Sequence, residues 1–172
     1  MKRRANVITL DNLNKFLYVE GSILKWKYST SKRCKLNQEA GSFKNNGYKK
    51  VGILGKTYLV HRILFQMYNS LETLDPEIII DHVDGNILNN SASNLRMATD
   101  LTSTYNTKSS SRSGYKGVSD RKHTRKYMAR IGHTGKEMFL GYYDTKEEAA
   151  KAYDNEAIKI QGGFAKLNFP VD

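Results

Sequence analysis

Ile78-Ile79-Ile80-Asp81-His82-Val83-Asp84-Gly85-Asn86-Ile87-Leu88-Asn89-Asn90, then Asn94-Leu95-Arg96, is the most informative stretch of this chain. Three consecutive isoleucines read as a short buried strand that delivers Asp81 and His82 to the start of a loop, and a strand is a rigid base for chemistry. Asp84-Gly85-Asn86 is a turn in which Gly or Asn can take a positive φ. Hydrolysis of a phosphodiester needs an activated water, a cation to offset charge on the phosphate and help for the leaving oxygen. A neutral imidazole can supply the first, and an adjacent carboxylate can hold the second. Neighbours on a regular strand point to opposite faces, so Asp81 and His82 converge only if the strand ends and the backbone turns there. The plainer alternative is that both are turn residues, with Asn89, Asn90 and Asn94 bonding their own backbone.

Upstream, Val60, Ile63, Leu64 and Met67 fall on one helical face, widened by Phe65 and Tyr68, which predicts a helix over 60–68 that stops before Asn69-Ser70. Residues 16–19 and 23–27 read as strands about Glu20-Gly21, and residues 48–60 as a second pair about Leu54-Gly55. The polar segment 29–46 suits a loop lying over DNA. Downstream, Ser93 or Asn94 is placed to cap a helical turn containing Leu95 and Met97, with a second short helix over 98–105.

Asn106 to Ser113 contains no apolar residue, and the linker is set at 107–113, between a first domain at 1–106 and a second at 114–172. The second domain reads as strands at 115–118, 126–132 and 137–141, then a helix opened by Asp144 or Thr145. Thr145 and Glu148 have capping-box spacing, Ala149, Ala152, Tyr153, Ala157 and Ile160 give an apolar face, and Gly162-Gly163 stops the helix. The expected class is α+β, ending in a three-stranded antiparallel sheet packed on one helix.

Lys and Arg number 28 against 17 Asp and Glu, a formal charge of +11 that attracts polyanions and makes nucleic acid the leading partner. No strongly amphipathic basic helix points to a membrane surface, and no 18-residue apolar run points to a span. Cys34 is the only cysteine, so an internal disulfide and a thiolate zinc cluster are both out of reach. Lys2, Arg3 and Arg4 precede an apolar run cut short by Asp11, which does not read as a signal peptide. A cytoplasmic setting is expected. Between Arg112 and Lys136 stand eight basic residues and one acidic residue, Asp120, whereas Asp144, Glu147, Glu148, Asp154 and Glu156 dominate the helix. The exposed face of the sheet is therefore expected to approach DNA.

Val60-His61-Arg62 followed by IDHVDGNILNNSASNLRMAT (80–99) resembles the HNH homing-type endonucleases of phages and group I introns. EGSILKWK, AGSFKNNGYKKVGI and GKTYLVHRIL upstream extend the resemblance over about residues 18–106. It implies a ββα-metal centre that holds one divalent ion, Mg²⁺ or Mn²⁺, against the scissile phosphate of double-stranded DNA. His82 would be the general base, Asp81 a metal ligand, and Asn94 the brace that steadies the loop and orients His82. The family usually supplies a second ligand from an Asn four positions beyond the equivalent of Thr99; here Ser103 stands in that place, and Asn106 follows. The alternative is a non-catalytic DNA-binding regulator with a decayed centre, or, more remotely, a protein acting on RNA or in recombination or packaging. His61, inside an apolar run, suits a buried structural role. Arg62 and Arg96 suit phosphate clamps or carboxylate pairs.

SGYKGVSDRKHTRKYMARIGHTGKEMFLGYYDTKEEAAKAYDNEAIKIQGGFAKLNFP (113–170) resembles the AP2/ERF DNA-binding domain. The resemblance implies a sheet in the major groove, with Lys116, Ser119, Arg121, Lys126, Tyr127, Arg130, Lys136 and Met138 towards DNA. Tyr115, Leu140, Ala149, Ala152, Tyr153, Phe164 and Phe169 would form the core. Many relatives carry Arg in place of Lys116 and Ser119, and Trp in place of Tyr127 and Met138. No obligate protein partner is implied, and a monomer or weak dimer is expected.

Overall fold

The computed structural model describes residues 7–28, 35–44, 47–105, 111–121 and 125–170. The chain divides into two compact units, one running to Thr99 and one starting at Asp100.

The first unit opens with α1 (Leu10–Phe16), whose N-terminus is capped by the Thr9 hydroxyl accepting from the Asn12 amide at 3.3 Å. The sequence reading did not anticipate this helix. Its signal was a Thr cap, Asp11 in the first turn and apolar Leu10 and Leu13 three apart, a pattern too short to register as a period. β1 (Leu17–Glu20) and β2 (Ile23–Trp26) form the expected hairpin, with Gly21 at φ +60°.

β3 (Ser42–Phe43), β4 (Lys49–Ile53) and β5 (Lys56–Leu59) make an antiparallel sheet in that order. Leu54 (φ +51°) and Gly55 (φ +74°) turn β4 into β5, the two positive φ angles that a tight hairpin with the right twist requires. α2 (Val60–Tyr68) has the bounds its apolar spacing predicts. Val60, Ile63 and Leu64 are buried with Leu13, Leu24 and Ile53 in one core. Each such side chain contributes about 2 kcal/mol through removal from water.

β6 (Ile79–His82) pairs antiparallel with β7 (Leu95–Ala98), in the register Ile79 to Ala98, Ile80 to Met97, Asp81 to Arg96 and His82 to Leu95. This corrects the helical turn expected at Leu95 and Met97. Only a one-turn 3₁₀ segment, Ala92–Asn94, precedes the strand. Backbone pairing to β6, with Leu95 buried in the core, satisfies the segment better than an isolated turn of helix would.

The second unit begins with α3 (Asp100–Tyr105). Its sheet, in the order β10-β9-β8, comprises β8 (Val118–Arg121), β9 (Lys126–His133) and β10 (Lys136–Tyr143). The first strand lies three residues later than expected, because residues 111–117 are taken up by a turn. Ser111 and Ser113 both direct hydroxyls to the Val118 carbonyl, and Gly114 and Gly117 have positive φ. Residues 111–113 are thus part of this unit's fold, while 107–110 of the expected linker lie outside the described residues.

α4 (Lys146–Gln161) carries the expected capping box, Thr145 Oγ1 accepting from the Glu148 amide and Glu148 accepting from the Thr145 amide, each at 3.2 Å. Ala149, Ala150 and Ala157 are fully buried, and these small side chains let the helix lie close to Val118, Ala129 and Ile131. Ala149 and Tyr153 are buried, Leu140 and Ala152 pack against the core, and Tyr115 meets Phe169 at a tilt, with Phe169 exposed where a core position was expected. Among the described residues, no helix is long and apolar enough to cross a membrane.

Candidate active site and nucleic-acid face

The alternation of β6 separates the two residues of greatest chemical interest. Ile80 and His82 are buried and face the core, while Ile79 and Asp81 are partly exposed on the other side. The strand stays regular as far as His82, and the chain turns only afterwards, with the Gly85 amide bonded to the His82 carbonyl at 2.9 Å. Asp81 and His82 therefore leave the ribbon on opposite faces, each with its own partners.

Asp81 Oδ2 accepts from Arg96 Nη2 at 3.0 Å and from Arg96 Nε at 3.2 Å, directly across the strand pair. Of the two roles open to Arg96, this is the carboxylate pair. Arg62 is held by backbone carbonyls. Its guanidinium donates to the carbonyls of Ile78 and, at 2.7 Å, Asp75, and so braces the segment that leads into β6.

His82 is 3% exposed, and its Nε2 lies 3.0 Å from Asn90 Oδ1. Its ring centroid is 5.2 Å from that of His61, edge to face, and 6.4 Å from that of Tyr48. His61 is buried at the start of α2, as its apolar surroundings suggest. Burial, together with the nearby His82 and Arg62, holds its pKa down to about 3, so its ring is neutral.

Asn94 braces the loop between β6 and β7. Its Nδ2 donates to Asp84 Oδ1 (3.0 Å) and to the Asn89 carbonyl (2.7 Å), and its Oδ1 accepts from the Asp84 amide (3.0 Å). Asn89 Nδ2 adds a bond to Asp84 Oδ2 at 2.8 Å. Burial tends to raise the Asp84 pKa, but bonds from Asn89, the Asn86 amide and Asn94 outweigh it and hold the carboxyl below its ordinary value. Asn90 Oδ1 is the partner of His82 Nε2. Asn90 was legible only as one of several asparagines in a loop.

Ser103 lies in α3, within the second unit, and Asn106 lies outside the described residues. Among the described residues, no three His, Cys, Asp or Glu side chains gather in one place.

In the second unit, register sorts the residues expected to face DNA. Ser119 lies opposite Met128, Arg121 opposite Lys126, and Arg130 opposite Phe139, so these share the face turned away from α4. Tyr127 lies opposite Asp120 and Tyr143 and packs on the helix-side core, while Met138 lies opposite Ile131 and Lys136 opposite His133. Those three are on the helix side of the sheet. Lys116 precedes β8; its ammonium donates to the Tyr105 carbonyl, and burial beside Lys166 lowers its pKa to about 8. Two residues on the outer face were not singled out from sequence. A bulge between Phe139 and Gly141 brings Phe139 and Tyr142 to the same side, both more than half exposed, with ring centroids 5.1 Å apart.

Residues 58–102 match the HNH endonuclease family model. The chain carries an HNH-endonuclease domain. His61, Arg62, Asp81, His82, Asn90, Asn94 and Arg96 all fall inside the matched HNH segment, and Ser103 stands one residue beyond it.

The uncharacterized HNH endonuclease L560 of Acanthamoeba polyphaga mimivirus is 34% identical over 125 residues, covering 72% of this chain and 63% of that protein. The ethylene-responsive transcription factor WRI1 of Arabidopsis thaliana is 44% identical over 61 residues, 34% of this chain and 14% of the plant protein. APETALA2-like protein 2 of Oryza sativa is 42% identical over 57 residues, 33% of this chain and 13% of its own length. The chain thus spans under two thirds of the length of each of these relatives. A solved structure, described as DNA binding and cleavage by the HNH homing endonuclease I-HmuI, superposes with a TM-score of 0.39 and 18% identity over 91% of each chain.

Proposed function

We propose that the chain is a divalent-metal-dependent DNA endonuclease of homing or mobile-element type, in which the HNH domain cuts or nicks and the second unit, an AP2/ERF-like module, selects the DNA. The observation that carries this reading is His82, a buried imidazole held by the Asn90 amide at the end of β6 inside the segment that matches the HNH family, with Asp81 next to it in sequence on the opposite face of the strand. A positioned imidazole can take a proton from water, and an adjacent carboxylate can hold a cation.

Mg²⁺ or Mn²⁺ suits the donor set. The side chains on offer are oxygen donors, and Mg²⁺ keeps several waters while taking as few as one or two carboxylates. Asp81 would hold it, and the ion would offset charge developing on the phosphate. For both residues to act on one phosphate, Asp81 must reach it from the face it shares with Arg96 and His82 from the face it shares with Leu95. Asn94 would keep the connecting loop in shape.

In the second unit, Ser119, Arg121, Lys126 and Arg130 would meet double-stranded DNA, with Phe139 and Tyr142 between them. Similarity to segments of two plant AP2-type proteins and the positive charge of this sheet support that assignment. Tethering a second DNA contact to the nuclease raises its local concentration at the target.

A second reading, a DNA-binding regulator with a decayed centre, is favoured by the Arg96 pair on Asp81 and by the near-complete burial of His82. Incubation of purified protein with supercoiled plasmid and a randomised DNA library, in Mg²⁺ or Mn²⁺, separates the two. Cleavage that His82→Ala abolishes with little loss of DNA affinity supports the nuclease. Sequence-selective binding with no cleavage in either metal would leave the regulator.

A further inference from the structure

A neutral His82 can take a proton through only one of its two ring nitrogens. We infer that Asn90 is a positioning residue whose side-chain oxygen fixes the His82 tautomer, placing the proton on Nε2 and the basic lone pair on Nδ1. Its consequence for cleavage rests on the proposed nuclease function; the tautomer itself does not.

Asn90 Oδ1 lies 3.0 Å from His82 Nε2, and both residues are at least nine-tenths buried. A neutral imidazole has one donor and one acceptor nitrogen, and a carbonyl oxygen can only accept. A hydrogen bond between this pair of atoms therefore requires the proton on Nε2. The opposite tautomer would set two lone pairs against each other in a buried place, where an unmade bond costs about 1–3 kcal/mol. The partner of one ring nitrogen decides the chemistry of the other.

The surroundings hold this arrangement in place. The Asn90 carbonyl accepts from the Tyr68 hydroxyl at 3.1 Å, and the same hydroxyl lies 2.9 Å from the Gly21 carbonyl, so Asn90 is tied to α2 and to the β1–β2 turn. On the other side the His82 ring meets His61, whose depressed pKa keeps it uncharged at neutral pH. Asn94, the residue expected to orient His82, donates to Asp84 and to the Asn89 carbonyl. An amide in this role orients the ring without adding a charge to the interior.

The test uses the full chain with ¹⁵N-labelled histidine, observed by long-range ¹H–¹⁵N correlation at about pH 8.5, where an ordinary imidazole of pKa about 6.5 is neutral. The expected result is protonation of His82 at Nε2 in the wild type and in Asn90→Asp, which retains an acceptor oxygen. Asn90→Leu should give a mixture of tautomers, and Asn90→Ala, which removes the acceptor and adds no bulk, supplies the same comparison should the leucine variant fail to fold. A wild-type proton on Nδ1, as a reversed Asn90 amide would produce, overturns the inference, and so does an unchanged Nε2 proton in a folded variant lacking the acceptor. Where cleavage is measurable, Asn90→Leu should lower kcat about 10- to 100-fold, the range found for partners that orient a functional histidine. KM for DNA should stay within about twofold, and Asn90→Asp should recover most of the loss. A wild-type Nε2 proton in a protein that cuts no DNA would sink the nuclease function while upholding the tautomer.

Discussion

Arg96 reaches across the β6–β7 pair and holds a single oxygen of Asp81 with two nitrogens, Nη2 at 3.0 Å and Nε at 3.2 Å. The guanidinium is the counter-charge that a divalent cation at Asp81 must share or displace. Arg96→Gln should therefore strengthen Mn²⁺ binding about fivefold, the equivalent of about 1 kcal/mol for a partly exposed pair. Electron paramagnetic resonance of unbound Mn²⁺ measures this without reference to cleavage. Unchanged or weaker binding would show that Arg96 does not compete for the site.

His61 makes stability depend on pH. Its folded pKa of about 3 lies below the ordinary 6.5, so the unfolded chain takes up the proton first as the pH falls. The stabilisation is fully present above about pH 6.5 and drains away towards pH 3. Between pH 7 and pH 5 this group alone should remove about 2 kcal/mol from the unfolding free energy. Urea titrations of wild type and His61→Gln at the two pH values should differ by that amount, with the variant losing less; equal losses would contradict the burial of an uncharged ring.

Gly117 has φ +74°, and a Cβ there would come within 2.1 Å of the Tyr153 ring and 2.6 Å of the Arg130 carbonyl. Gly117→Ala should destabilise the second unit by about 3 kcal/mol, combining backbone strain with displacement of a buried ring. Thr145→Ala, which removes half of the capping box, should cost about 1 kcal/mol, and Thr145→Ser should restore it. Hydrogen exchange of the α4 amides reports both effects.

Arg130 and Tyr127 separate the two sides of the second sheet. Arg130→Ala on the outer face should weaken DNA binding at all sequences and reduce the slope of log K against log salt by about 1, as expected for a lost phosphate contact. Tyr127→Ala on the helix side should leave that slope unchanged and lower stability by about 1–2 kcal/mol. Fluorescence anisotropy at several salt concentrations distinguishes them, and a reversed pattern would mean that the other side of the sheet meets DNA.

Where one strong local signal acted alone, the sequence was enough. The positions of Val60, Ile63, Leu64 and Met67 set the bounds of α2, and Thr145 with Glu148 set the start of α4. Leu95 and Met97 misled because the partner that makes them a strand, β6, lies more than ten residues away. Pairing between distant segments leaves no local period. The same limit hid Asn90 among neighbouring asparagines, since its distinction is a contact eight residues back.

The bulge between Phe139 and Gly141 makes chain length, as well as residue identity, a determinant of the outer surface. Phe139 and Tyr142 are three apart, a spacing that in an unbroken strand would send them to opposite sides. Deleting Leu140 would keep both aromatic residues and yet hide one of them. A homologue that lacks one residue in this strand would thus present a different surface despite an almost unchanged composition, and counting residues between the two rings would be a quicker guide to its binding than comparing their identities.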